Sequence, residues 1–422
     1  MTTRCLLLAG SWGPERLPAR PARDDADWVL PLHVRDEAAA RERIAAQVAA
    51  GADVVVAPTW LTHRRALLPL AETRRAADWT TAAVRVARDA VEVGLERREA
   101  LLADAPPDDV RQGRPDTRVA AVLPVLHDQP DAGSGRLPPH ESASLRDYRD
   151  QAGLLADAAP DLLLVEAAAD GAEARTAGQE ACATGLPVWA AHAAPMGDDA
   201  AIDAAYVETW LEWGRDVGLE RLLLPTLRVA AYARGGGLAW GGLLACAPDA
   251  LGVSDAAAAA GSGANGRKSA ADWLAAGASA LACLDGASAV ALEPLRAAID
   301  EVERVAIEAS RAVERRWHAH VARAARMALG GPALWLGERA AAPLPEGFAW
   351  LHVDATEAHH LPTDRFRLIV ARRPFEGAAV LLERGGVLAS GEPLAGGPES
   401  GLRTVLIDDA SAPPLAIYRR EP

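Results

Sequence analysis

The chain has 422 residues, half of them hydrophobic and 24% charged, with a formal net charge of −14. That composition suits a large globular domain with a smaller one beside it. No apolar run reaches the ~20 residues of a membrane span, and no basic cluster with interleaved aromatics offers a nucleic-acid surface.

The four cysteines, Cys5, Cys182, Cys246 and Cys283, form no CxxC pair. This argues against a disulfide framework and against a zinc finger or ribbon. The amino-terminal apolar stretch is short and runs into Gly10-Ser11-Trp12-Gly13 rather than a cleavage site, so a cytoplasmic protein is expected.

In chain order, short apolar runs at 5–10, 53–58, 119–125, 162–166, 187–192, 221–226, 238–246 and 280–285 alternate with Ala-rich segments of helical spacing. Most runs are continuously hydrophobic, as strands buried on both faces must be. The clearest helical segments are 36–50, with Ile44 and Val48 on one face, 80–95 and 293–313. Eight such units predict a parallel (β/α)8 TIM barrel over residues 1–329, with an open doubly wound sheet as the competing α/β fold. Insertions at 128–144 and 256–268 would lie on the barrel's C-terminal face, where active sites form.

From residue 330 the texture changes. Strand candidates at 332–337, 349–354, 367–371, 380–382, 404–408 and 415–418 have few helices between them, which predicts a small C-terminal α/β domain over 330–422.

Several residues carry candidate chemistry. Glu166 ends an apolar strand at the expected barrel mouth, where a carboxylate can bind an amine or act as acid or base. His192 ends the next strand and reads more readily as a rim histidine than as a metal ligand. Trp12, Trp60 and Trp240 fall at or near strand ends, as packing residues or as an aromatic wall for a sulfonium or quaternary ammonium. The run 261–269 contains GxGxxG and nearly spells a P-loop, but Arg267 intervenes before Lys268-Ser269 and no strand precedes it, so a flexible loop is the reading. His318, His320, His359 and His360 are expected on the solvated surface.

The order of local features resembles the homocysteine S-methyltransferase family over about residues 5–305. Ala50-Gly51-Ala52-Asp53 followed by a strand ending in Thr59-Trp60 is similar to the family's Ala-Gly-Ala-Asp segment and its Thr-Asn-Thr-Tyr strand end. The segment 161–166, with Glu173-Ala174 after it, resembles the strand ending in Glu-Thr and the downstream Glu-Ala. Trp273 and Gly277-Ala278 stand where the family has a Trp and a Gly-Ala before its double-cysteine strand.

The resemblance implies zinc held by three thiolates, which makes a bound homocysteine sulfur a nucleophile at neutral pH. The departures from it concern those ligands. The sixth strand reads Leu222-Leu223-Leu224-Pro225-Thr226 without a cysteine, and Leu284 and Asp285 fall on the two cysteine positions of the last strand, with Cys283 one residue out. Ala9 replaces the family's N-terminal acid.

The resemblance therefore implies a degenerate zinc site with no metal ligands assigned. Methyl transfer would involve a small thiol and a methylated amine or sulfonium, with Glu166 and Asp285 as catalytic candidates and Thr59, Trp60, Trp12, His192 and Thr226 as substrate-binding ones. The alternative is a catalytically inert barrel that binds or regulates a partner methyltransferase or corrinoid protein. In the C-terminal segment, 349–392 faintly resembles the second half of an S-adenosylmethionine methyltransferase sheet without its glycine-rich loop, and reads as a remnant or docking domain.

Overall fold

The computed structural model describes residues 5–10, 30–68, 70–103, 116–124, 126, 141–167, 171–192, 204–224, 238–244, 270–283, 289–336, 344–353, 358–363, 365–371, 381–390, 402–408 and 415–420. They divide into two units, Met1–Arg304 and Val305–Pro422.

In the first unit, eight parallel strands close into a barrel in chain order. These are β1 (Leu6–Ala9), β2 (Val54–Ala57), β3 (Arg118–Leu123), β4 (Leu162–Ala167), β5 (Val188–His192), β6 (Arg221–Leu224), β7 (Ala239–Leu244) and β8 (Ala280–Cys283). Closure comes from β1 pairing β8, with Leu6 opposite Ala280 and Ala9 opposite Cys283. Each apolar run of the sequence holds one strand, and the barrel, not the open sheet, is the fold. The described helices are α1 (Leu32–Arg35), α2 (Glu37–Ala49), α3 (Arg64–Leu67), α4 (Ala76–Leu102), α5 (Glu141–Asp157), α6 (Gly171–Cys182), α7 (Ala204–Val217), α8 (Ala270–Ala275) and α9 (Ala289–Ala328).

The two-residue period of a strand splits its side chains between two cores. Val54, Val56, Leu162, Leu164, Trp189 and Leu223 meet inside the barrel, with Ala120, Ala191, Ala280 and Ala282 making room for the indole. Val55, Leu163, Val165 and Leu222 face outward, together with Val48, Val84 and Leu295 of the surrounding helices. Burial on both faces is why these strands read as unbroken hydrophobic runs.

Two charges meet the lumen indole at the N-terminal end of the barrel. The Arg118 and Arg221 guanidiniums lie 5.2 and 4.7 Å from the Trp189 ring centroid. Nearby, the Ala-Gly-Ala-Asp segment has a structural meaning. Gly51 turns with φ +99°, and a Cβ there would come within 2.6 Å of the Arg296 side chain. Ala52 is fully buried. Asp53 accepts from the Leu7 backbone N–H and from Arg296 Nη1, each at 2.9 Å, tying β2 to β1 and to α9. Arg296 Nε also pairs with Asp300 at 2.9 Å.

His33, on α1, is buried, and that burial pulls its pKa down from 6.5 to about 4. The folded state therefore binds fewer protons than the unfolded chain between those values. Stability is full above the unfolded pKa, falls as pH drops through the window and levels off below about 4, a loss on the order of 3 kcal/mol. Thermal melts of wild type and His33→Leu between pH 4 and 7 check this: the acid-side decline should flatten in the variant.

In the second unit, six strands form a sheet in the order β10-β9-β11-β12-β14-β13. They are β9 (Gly331–Leu336), β10 (Phe348–Val353), β11 (Phe366–Ala371), β12 (Leu382–Ser390), β13 (Leu402–Asp408) and β14 (Leu415–Arg420). Four are mutually parallel, and β14 lies antiparallel between β12 and β13. The second half of α9 covers one face, its Trp317, Val321, Ala324 and Ala328 packing with Trp335, Leu368 and Ile417. This apolar spacing is helical and continues past 313, where the sequence expectation stopped the helix. Leu329, left-handed at φ 58°, follows its end.

The histidines of this helix correct an expectation. His320 is buried, stacks on Trp317 and bonds the Ala416 carbonyl at 3.0 Å. Only His318 stays toward solvent, 3.1 Å from Glu314. Spacing of two puts the pair on different helix faces, and one of those faces is the sheet's.

Candidate active site

The C-terminal barrel end is built from the residues that follow the lumen-facing layer. On β4, Leu162 and Leu164 face inward, so Glu166 continues the same face at the strand's end, half-buried. Trp60, three residues beyond β2, packs against the lumen cluster, and its Nε1–H donates to Glu166 Oε2 at 3.2 Å. Carboxylate and indole thus meet across the mouth, from elements 106 residues apart in sequence.

Behind Trp60 stands a chain of threonines. Thr59 is fully buried, and its Oγ1 accepts from the Val122 backbone N–H at 2.8 Å. Thr62 Oγ1 donates to the Thr59 carbonyl at 2.9 Å, and Thr80 Oγ1 on α4 donates to Thr62 Oγ1 at 2.8 Å. Thr59 is therefore occupied with the β3 backbone beneath the mouth. Sequence reasoning missed Thr62 and Thr80; a hydroxyl at a buried helical position such as 80 was the available signal.

A second polar group lies between α5 and α6. Tyr148 is fully buried, donates to Glu173 through a short hydrogen bond and accepts from the Leu126 backbone N–H at 2.8 Å. Burial, the bond to Glu173 and the nearby Glu166 carboxylate all push the Tyr148 hydroxyl pKa up, so it remains a donor. Glu173, quoted above only for its resemblance, serves as its acceptor.

Other expected site residues fall differently. His192 ends β5 opposite Ala167, and its side chain lies outside the described residues, as do Trp12, Thr226 and Asp285. Trp240 is not a mouth residue: it packs outside the barrel against Trp273, ring centroids 6.3 Å apart. Ala9 also faces outward, and the next residue, Gly10, has its Cβ position only 2.4 Å from Val56 Cβ, leaving no room for a side chain there.

The thiolate set implied by the resemblance does not assemble among the described residues. Ala280 and Ala282 face the lumen, so Cys283 points outward, where it is buried and disulfide-bonded. Cys5 is buried at the opposite end of the barrel, its pKa pushed up to about 12 by burial. Cys182 lies on α6 with its pKa raised, again by burial. Among the described residues no cluster of three His, Cys, Asp or Glu could hold a metal, and no helix is long and apolar enough to cross a membrane.

The homocysteine S-methyltransferase family matches residues 25–210. The oxidized form of the homocysteine methyltransferase MmuM from Escherichia coli is similar at 19% identity with a TM-score of 0.50, over 69% of this chain and 95% of that one. Its metallated form gives 18% identity and a TM-score of 0.48 over 69% and 96%. At these identities the likeness is one of fold. No curated protein matches the chain.

Proposed function

We propose that the barrel is a member of the homocysteine S-methyltransferase family, which matches residues 25–210, and that its C-terminal mouth binds a small amino-acid thiol or methylated donor for methyl transfer. The observation that carries this reading is the Glu166 carboxylate on the lumen face, hydrogen-bonded by Trp60. An anionic group in a partly desolvated mouth binds a substrate ammonium and orients the sulfur relative to the methyl group. Trp60 supplies an aromatic wall for a sulfonium or quaternary ammonium. Thr59 braces that wall from below.

Zinc would ordinarily activate the thiol as a thiolate. The described cysteines do not fit that role. Asp285, two residues beyond β8, together with His192 and Thr226, are the groups assigned to acceptor activation in its place. Cys283, outward-facing and disulfide-bonded, is not among them.

The test assays purified protein for stoichiometric metal and for methyl transfer to homocysteine, with S-methylmethionine and betaine as donors. Glu166→Ala should lower transfer at least tenfold, through weaker binding. Wild-type protein without transfer would sink the enzyme reading. It would favour the second reading, an inert barrel that binds a partner methyltransferase or corrinoid protein, which the outward turn of Cys283 supports and co-purification of a partner would test.

A further inference from the structure

Trp60 and Glu166 invite a sharper question than membership of one pocket: does the indole act on a ligand, or on the carboxylate? Three observations bear on it. The indole N–H is directed at Glu166 Oε2, 3.2 Å away. The ring packs on the lumen cluster formed by residues such as Val56 and Leu164, so its rotation is restricted. The residues that flank it are fastened on two sides, Thr59 to the Val122 N–H of β3 and Thr62 to Thr80 of α4. A donor held in this way fixes the orientation of its acceptor without rearranging when a ligand arrives. Tyr148, bonded to Glu173, also feels the Glu166 carboxylate, which pushes its hydroxyl pKa up.

We infer that Trp60 is a positioning residue: its indole N–H holds the Glu166 carboxylate oriented to receive the α-ammonium of an amino-acid ligand, and the Thr59–Thr62–Thr80 chain holds the segment that carries Trp60. This rests on the reading of the mouth as an amino-acid thiol site, and it adds a specificity. Loss of Trp60 should be felt through the ligand's amine and not through its thiol or carboxylate.

The experiment compares two probes that differ only in the amine, reduced L-homocysteine and 4-mercaptobutanoate, by calorimetric titration of the full chain. Trp60→Phe should weaken L-homocysteine about tenfold, the effect of one hydrogen bond to a charged group, and change 4-mercaptobutanoate less than twofold. Equal weakening of both probes would overturn the inference, because a general wall or packing role moves both. An independent measurement uses the indole N–H signals of 15N-labelled protein. The signal lost in Trp60→Phe should move in Glu166→Gln, whereas an unmoved signal overturns the inference. If Trp60→Phe fails to fold, Trp60→Tyr identifies the signal in the same way, and its movement in Glu166→Gln decides. Wild type that binds neither probe refutes the proposed function alone, and the indole spectrum then decides the positioning role by itself.

Discussion

Replacing Arg296 with Met is expected to destabilise the barrel by roughly 3–5 kcal/mol, because it leaves Asp53 charged, buried and without its cation. The Asp53 and Arg296 side chains are 1% and 6% exposed, so little solvent is at hand to screen the orphan. Asp53 also accepts the Leu7 N–H, and so joins β1, β2 and α9 at one point. Removal of the carboxylate charge by Asp53→Asn should cost less, because Arg296 keeps its 2.9 Å ion pair with Asp300. The double variant should lose clearly less than the sum of the singles, since no carboxylate is then stranded at position 53. Urea unfolding of the four proteins measures this. Single losses under about 1 kcal/mol, or strict additivity, would mean that the pair is not a unit. Gly51→Ala supplies a steric counterpart: its Cβ would fall within 2.6 Å of the Arg296 side chain, at a backbone φ of +99° that disfavours any side chain.

That pair also shows where the sequence stops being legible. The barrel could be read because each strand is buried on both faces, which writes the fold as local apolar runs, and every run contains a strand. The Ala-Gly-Ala-Asp segment could be recognised by resemblance, but its meaning could not. Asp53 finds Arg296 across 243 residues, and nothing local distinguishes that arginine from the others on a charged helix. His320 was misread for a related reason: helical spacing separates it from His318 but does not say which face meets the sheet. At the mouth, Glu166 was visible as a carboxylate ending an apolar strand, and Trp60 as an aromatic beyond one. Their hydrogen bond depends on barrel closure and side-chain reach. The outward direction of Cys283 could be read, since a strand's period of two fixes it once a neighbour's face is known.

The second large effect is expected at Trp189. The closed strand ring around it cannot contract, so a vacated volume stays vacant, and Trp189→Ala should cost roughly 3–5 kcal/mol. The indole is fully buried in the lumen, surrounded by alanines of β3, β5 and β8 that are small because it is large. It also carries two guanidiniums. Arg118 and Arg221 lie over the ring, and without it Arg221, itself only 7% exposed, keeps Ser279 as a partner but loses its aromatic face. Trp189→Phe keeps an aromatic face and most of the volume and should lose distinctly less. The same change should reach the mouth. Trp189 is opposite Leu164 in the β4–β5 register, and two residues on, Glu166 is opposite Ala191. A lumen loosened beneath that layer should therefore weaken the L-homocysteine binding proposed for the mouth in Trp189→Ala even under conditions where the variant is fully folded. Calorimetric binding beside urea unfolding separates the two effects. Lost stability with binding unchanged would show that the Glu166 layer is held from above, by Trp60 and its threonines, and not from the lumen.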